Sequence, residues 1–167
     1  RESIRAPHFV LWVRAQVEEM FAGTSEEGLL EAGGLTVETT LDWGMQQRAE
    51  DRIAFHRDDV FDRFGASSIA LIAVDNKTRE ILAYVGNTDY NDEKHGGKID
   101  MEHAPRQPGS SFKPFVYAAA FGQGYGPATP IYDVPTKIGD DEPQNFDGKF
   151  LGLLTMRTAI AASRNIP

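Results

Sequence analysis

Val10, Val13, Val17, Met20 and Phe21, with Arg14, Glu18 and Glu19 between them, repeat at helical period. They predict an amphipathic helix that starts at Pro7, a good first-turn residue, and ends near Gly23. After a polar stretch with glycines, Leu35, Val37 and Thr39 alternate with Thr36, Glu38 and Thr40, the pattern of a half-buried strand. Asp42 is a natural N-cap for a second helix, whose inner face carries Met45, Ala49, Ile53 and Phe61. Residues 67–74 and 81–85 are nearly continuous apolar runs around the turn Asp75-Asn76-Lys77-Thr78, which predicts a buried β-hairpin. Residues 87–98 form a polar loop, and Arg106-Gln107-Pro108-Gly109 breaks the chain before an apolar helical run over 110–122. A stretch punctuated by Pro and Gly follows over 124–152, and 155–163 reads as a short helix. No internal repeat or low-complexity tract is visible.

Composition narrows the class. With 41% hydrophobic residues in 167, the chain can bury a core and is not a disordered tail. Its 17 Lys and Arg stand against 25 Asp and Glu, a formal charge of -8 that argues against nucleic acid as a partner. No cysteine is present, so thiol nucleophiles, disulfide scaffolds and cysteine-ligated zinc are excluded. The longest apolar runs, 69–74 and 116–121, fall far short of the roughly 18 residues of a membrane-spanning helix. The chain opens at Arg1 and stops at Pro167 just past a helix, and reads as an excerpt of a longer protein.

The segment Ser110-Ser111-Phe112-Lys113-Pro114, directly after Pro108-Gly109, carries the most chemical information. Residues three apart on a helix share a face, so Ser110 and Lys113 can bring a hydroxyl and an amine within hydrogen-bond reach while Ser111 points elsewhere. A serine hydroxyl needs a base, and a lysine becomes one when burial favours its neutral form. The apolar residues Phe115, Val116, Ala118, Ala119 and Ala120 mark the helix as buried and central, which encloses Lys113. Taken alone, a serine cap and a solvated lysine account for the same four residues. Ser163-Arg164-Asn165, at the end of the last helix, offers a second hydroxyl and an amide; by itself it is a helix C-terminus with Asn165 in the left-handed position. His8, His56, His95 and His103 lack metal-ligand spacing. Tyr84, Phe112, Phe115, Tyr117 and Phe121 are candidates for the core.

Together these segments resemble the transpeptidase region of class A (bifunctional) penicillin-binding proteins. Residues 106–115 (Arg-Gln-Pro-Gly-Ser-Ser-Phe-Lys-Pro-Phe) are similar to that family's S-x-x-K nucleophile motif, and Ser163-Arg164-Asn165, after Leu154-Thr155-Met156-Arg157-Thr158-Ala159-Ile160, to its second motif. Residues 6–10, 33–42 and 81–86 also resemble the family. The resemblance implies an α+β, sandwich-like fold of the penicillin-binding and serine β-lactamase type, incomplete here. It also implies a linker region over residues 1–65, joining a glycosyltransferase domain to the N-terminal half of the transpeptidase domain over 66–167.

Carried over by position, Ser110 is the residue acylated by D-Ala-D-Ala stem peptides or by a β-lactam, and its backbone N–H is half of the oxyanion hole. Lys113 takes the Ser110 proton, Ser163 relays it, and Asn165 binds the substrate amide. No metal or organic cofactor is implied. The parent is expected to be anchored in the membrane and to work on its extracytoplasmic face. A non-catalytic cell-wall module and a serine β-lactamase or D,D-carboxypeptidase are the competing readings. Two departures from the family stand out. The third motif, K-T-G, is absent, and the nearest string, Lys77-Thr78-Arg79, lies in a hairpin turn ahead of Ser110, where the family order does not place it. Arg79 also stands where the family commonly has glycine, and a positive φ there costs roughly 1 kcal/mol.

Overall fold

The computed structural model describes residues 4–25 and 27–167. The chain divides into two compact units, Arg1–Pro105 and Arg106–Pro167, each of mixed helix and antiparallel strand.

The first unit contains helices α1 (Pro7–Phe21), α2 (Leu29–Ala32) and α3 (Trp43–Phe64) and the strands β1 (Leu71–Val74) and β2 (Ile81–Val85). Asp42 caps α3 as expected, its side chain accepting from Met45 N at 2.7 Å. Ala49 and Ile53 of α3 pack with Met45 against Ala83 and Val85 of β2 and against Ile69, Leu71 and Ala73. Phe61 instead meets the ring of His95 edge-on and lies beneath the Arg57 guanidinium.

The face of α1 that turns inward matches the expected stripe only in part: Val13, Val17 and Phe21 are half-buried on it. Phe9 is buried with Trp12 and Val13 around Tyr84, whereas Val10 and Met20 are exposed. Aromatic area decides this orientation: Trp12 stacks on Tyr84 at 5.6 Å and 3°, and Phe9 tilts against both rings. The Tyr84 hydroxyl donates to Asp100, and burial followed by that carboxylate raises its pKa.

The hairpin forms where expected, with Leu71 opposite Val85 and Ile72 opposite Tyr84. Asp75 closes its turn by accepting from the Lys77 and Thr78 backbone N–H groups, while Arg79 N returns to the Asp75 carbonyl. Lys77-Thr78-Arg79 is therefore a turn, and Arg79 sits at φ 67°. The hairpin is half-buried rather than buried, since Ile72 and Val74 face outward on β1. The strand expected over 35–40 makes no ladder. Its end meets β2 through Asp42 N to the Leu82 carbonyl (2.9 Å) and Thr40 Oγ1 to the Ile81 carbonyl (2.8 Å), and Leu35 and Val37 stay exposed.

The second unit begins with a single 3₁₀ turn, Gly109–Phe112, that runs into α4 (Lys113–Gly122). A hairpin of β3 (Pro130–Asp133) and β4 (Gly152–Thr155) follows, pairing Ile131 with Leu154 and Tyr132 with Leu153. Short strands inside the stretch punctuated by Pro and Gly were not foreseen; Pro130 opens β3, a position that spares its missing N–H. Helix α5 (Met156–Ala161) starts from Thr155, whose side chain accepts from Thr158 N. The expectation of a buried central α4 is not met within this unit. Tyr117 is buried, but Phe115 is 67% exposed and Phe112, Val116 and Phe121 are also exposed. In this unit α4 packs on α5, which in turn packs on β3 and β4, and the face that carries Phe115 and Val116 is left to solvent.

Candidate active site

Every residue singled out for chemistry lies in the second unit. Gly109 adopts φ 53°, and the following turn is 3₁₀ rather than α. In a 3₁₀ turn the side chains at i and i+3 eclipse, which stacks Ser110 over Lys113 more directly than an α-helix does. Ser111 points away, as expected: its hydroxyl donates back to the Pro108 carbonyl. Pro114 follows in the first turn of α4, at a position that needs no N–H partner.

The hydrogen bond expected between Ser110 and Lys113 is replaced by a longer connection through Ser163. Lys113 Nζ donates to Ser163 Oγ at 3.1 Å, to the Ser163 carbonyl at 2.6 Å and to Asn165 Oδ1 at 2.7 Å. Ser163 Oγ in turn lies 3.1 Å from Ser110 Oγ. Ser110, Ser163, Lys113 and Asn165 are thus joined although 53 positions separate the two serines. A hydroxyl can rotate to donate in either direction, so the Ser163 hydroxyl is placed to pass a proton between the other two groups. Burial, and next the positive charge of Arg164, holds the Lys113 ammonium below the usual lysine range. Its three acceptors are neutral oxygens, so they do not restore the charge as a carboxylate would.

The convergence depends on how the chain leaves α5. Ala162 is the C-cap, and Ser163 takes the left-handed conformation at φ 49° with its N–H returning to the Ile160 carbonyl. The left-handed residue is therefore Ser163, not Asn165 as the sequence suggested. The reversal swings the Ser163 hydroxyl and the Asn165 amide onto the same side, facing Lys113.

A supporting set escaped sequence reasoning. Asn165 Nδ2 donates to the Gln144 carbonyl at 2.9 Å, and its backbone N–H donates to Asn145 Oδ1 at 2.7 Å. With Nδ2 held by a carbonyl, Asn165 presents its Oδ1 to the lysine. Asn145 Nδ2 donates to Asp133 Oδ1, and Asp133 pairs with Arg164. The available signal was Arg164 itself, a charged residue between two candidate polar groups on a turn, with Asp133 and Asp147 in the preceding stretch. No group of three or more His, Asp or Glu among the described residues is arranged to hold a metal ion.

A family model described as the penicillin binding protein transpeptidase domain matches residues 69–167. The chain is 39% identical over 132 residues to penicillin-binding protein 1C of Escherichia coli, covering 78% of this chain and 17% of that protein. It is 38% identical over 104 residues to penicillin-binding protein 1A of Neisseria flavescens, covering 58% and 13%. The chain thus spans less than a fifth of the length of these relatives. Among solved structures, the penicillin-binding protein PonA1 from Mycobacterium tuberculosis superposes with a TM-score of 0.69 at 26% identity, over 90% of this chain and 36% of that one. The same protein in complex with penicillin V gives 0.70 and 28%, over 90% of this chain and 37% of that one.

Proposed function

The chain belongs to the penicillin-binding protein transpeptidase domain family, and from that premise we propose that it supplies the nucleophile half of a D,D-transpeptidase that cross-links peptidoglycan stem peptides. Ser110 is the nucleophile. Its Oγ attacks the carbonyl carbon of the penultimate D-alanine while its proton passes to neutral Lys113. The peptide C–N bond then breaks, and the proton travels from Lys113 through Ser163 to the leaving amine, releasing D-alanine. An acceptor amine attacks the resulting ester, forms the new amide and restores the Ser110 hydroxyl. Asn165 binds the amide of the donor strand, and the Ser110 N–H polarises the attacked carbonyl. A β-lactam enters by the same attack and stays as an acyl-serine.

The observation that carries this reading is the continuous hydrogen-bonded path from Ser110 Oγ through Ser163 Oγ to Lys113 Nζ, each step 3.1 Å. Residues 1–65 fit the role of a linker to a glycosyltransferase domain and 66–167 the first half of the transpeptidase domain. The whole protein acts at the extracytoplasmic face of the cell membrane, anchored there by a segment outside this sequence; no described helix is long and apolar enough to cross a membrane. The K-T-G strand also lies outside the sequence, so the 167 residues alone are expected to acylate little or not at all.

The full-length protein, given lipid-linked muropeptides ending in D-Ala-D-Ala, is expected to release D-alanine and yield cross-linked dimers, with both products lost in Ser110→Ala. Release of D-alanine without dimers would instead identify a carboxypeptidase, and no release at all would favour a non-catalytic module.

A further inference from the structure

Arg164 stands between the two polar residues of the turn, yet its side chain runs inward. It is 6% exposed, and Asp133, to which its Nε donates at 2.7 Å, is fully buried. Its Nη1 bonds both oxygens of Asp147 at 3.1 Å, and Nη2 donates to the Lys149 carbonyl. Asp133, the last residue of β3, also accepts from Leu151 N at 3.0 Å and Asn145 Nδ2 at 2.6 Å. Asn145 then returns to the turn by accepting from Asn165 N at 2.7 Å. The peptide unit between Arg164 and Asn165 is therefore closed into a ring of side chains, Arg164 to Asp133 to Asn145 and back. The ring sits directly behind Ser163, a non-glycine residue held at positive φ.

Such a conformation persists only where its surroundings over-determine it. A buried ion pair is a poor source of stability, because its desolvation cost rivals its attraction, but a well-bonded one fixes geometry. Arg is suited to this, since its planar fork engages Asp133, Asp147 and a carbonyl at once, as a lysine does not.

We propose that Arg164 is a positioning residue: its buried pair with Asp133, closed through Asn145, fixes the left-handed turn at Ser163 so that Ser163 Oγ and Asn165 Oδ1 converge on Lys113 Nζ. The inference rests on the acyl-serine reading above. Arg164 has a second effect through its charge, which adds to burial in disfavouring the Lys113 ammonium. Arg164 from the turn after α5 is the charge that acts on Lys113; it is paired with Asp133 from β3 and Asp147 from the connection between β3 and β4, α5 adds the exposed Arg157, and α4 itself carries no charge besides Lys113.

The test uses the full-length protein and a fluorescent penicillin, with the acylation rate constant measured across pH on preparations shown to melt cooperatively. Arg164→Lys keeps a charge and loses the fork. The paired variant Asp133→Asn/Arg164→Gln removes both ions together, leaves neither charge stranded, and carries the test if the single variant fails to fold. Each is expected to acylate at least tenfold more slowly while folded. The acid limb of the paired variant should move to higher pH, because Lys113 loses a neighbouring positive charge. A lowered melting temperature with the rate within twofold of the parent and an unmoved acid limb would make Arg164 merely structural and overturn the proposal. A parent protein that is not labelled at Ser110 would overturn the acyl-serine reading itself, before any variant is compared.

Discussion

Replacing Ser163 by glycine and, separately, by alanine separates the backbone demand at this position from the chemical one. Both substitutions delete the hydroxyl that lies 3.1 Å from Ser110 Oγ and 3.1 Å from Lys113 Nζ. Hydrogen bonds of this kind contribute about 0.5–1.5 kcal/mol each, toward the lower end at an exposed position. That loss is common to the two variants and cancels in their difference. Alanine keeps a Cβ at φ 49°, where the left-handed conformation costs about 1–2 kcal/mol. Glycine relieves that strain and gives back about 0.5–1 kcal/mol through the greater freedom of its unfolded chain. The balance favours Ser163→Gly over Ser163→Ala by roughly 0.5–1 kcal/mol, or ~1–4 °C in melting temperature for a domain of 150–250 residues. Thermal unfolding of the full-length variants reads the stability difference, and penicillin acylation reads the chemistry. Both variants should lose acylation together, by at least tenfold. An alanine variant more stable than the glycine variant would refute the strain argument; acylation retained in either would refute the relay.

Two further outcomes follow from the same structure. Burial pushes the Asp133 carboxyl up, but bonds from Asn145, Leu151 N and Arg164 outweigh it and leave its pKa below the ordinary 3.8. The unfolded chain binds the extra proton between the lowered value and 3.8, so the stability this carboxylate contributes is fully present above that window and is lost as pH falls through it. Acid titration of unfolding should show a shallower loss below pH 3.8 in the paired Asp133→Asn/Arg164→Gln variant than in the parent, and equal slopes would contradict the assignment. In the first unit, a Cβ added at Gly97 would stand 1.9 Å from the Asp89 carbonyl oxygen, which is backbone and cannot rotate aside. Gly97→Ala should destabilise by ~3 kcal/mol and release the His8 side chain from its 2.8 Å contact with the Gly97 carbonyl; a melting temperature equal to the parent's would show that the loop yields freely.

Local chemistry made much of this legible in the sequence. Asp42 as a cap, the Asp75 turn and the spacing of Ser110 and Lys113 all concern residues within a few positions of one another, where side chain and backbone dictate the outcome. The inward face of α1 was not legible in the same way. Val13 and Val17 follow the expected period inward, but the stacking of Trp12 on Tyr84, a residue 72 positions away, turns Phe9 and Trp12 in as well and leaves Val10 outside. Likewise the path from Ser110 to Lys113 runs through Ser163 because of a left-handed turn that only the fold around Asp133 and Arg164 explains. The strand expected over 35–40 had the alternation of a half-buried strand and lacked a partner for its ladder. The two short strands β3 and β4 are each four residues, too brief for alternation to rise above a background of Pro and Gly.

The central claim is that Ser110 is the acylated nucleophile. Mass spectrometry of the peptide adduct formed when the full-length protein meets a labelled penicillin tests it directly. The label is expected on Ser110, with loss of labelling in Ser110→Ala and in Lys113→Ala. A label that survives Ser110→Ala, or that maps to Ser111 or Ser163 in the parent protein, would contradict the account.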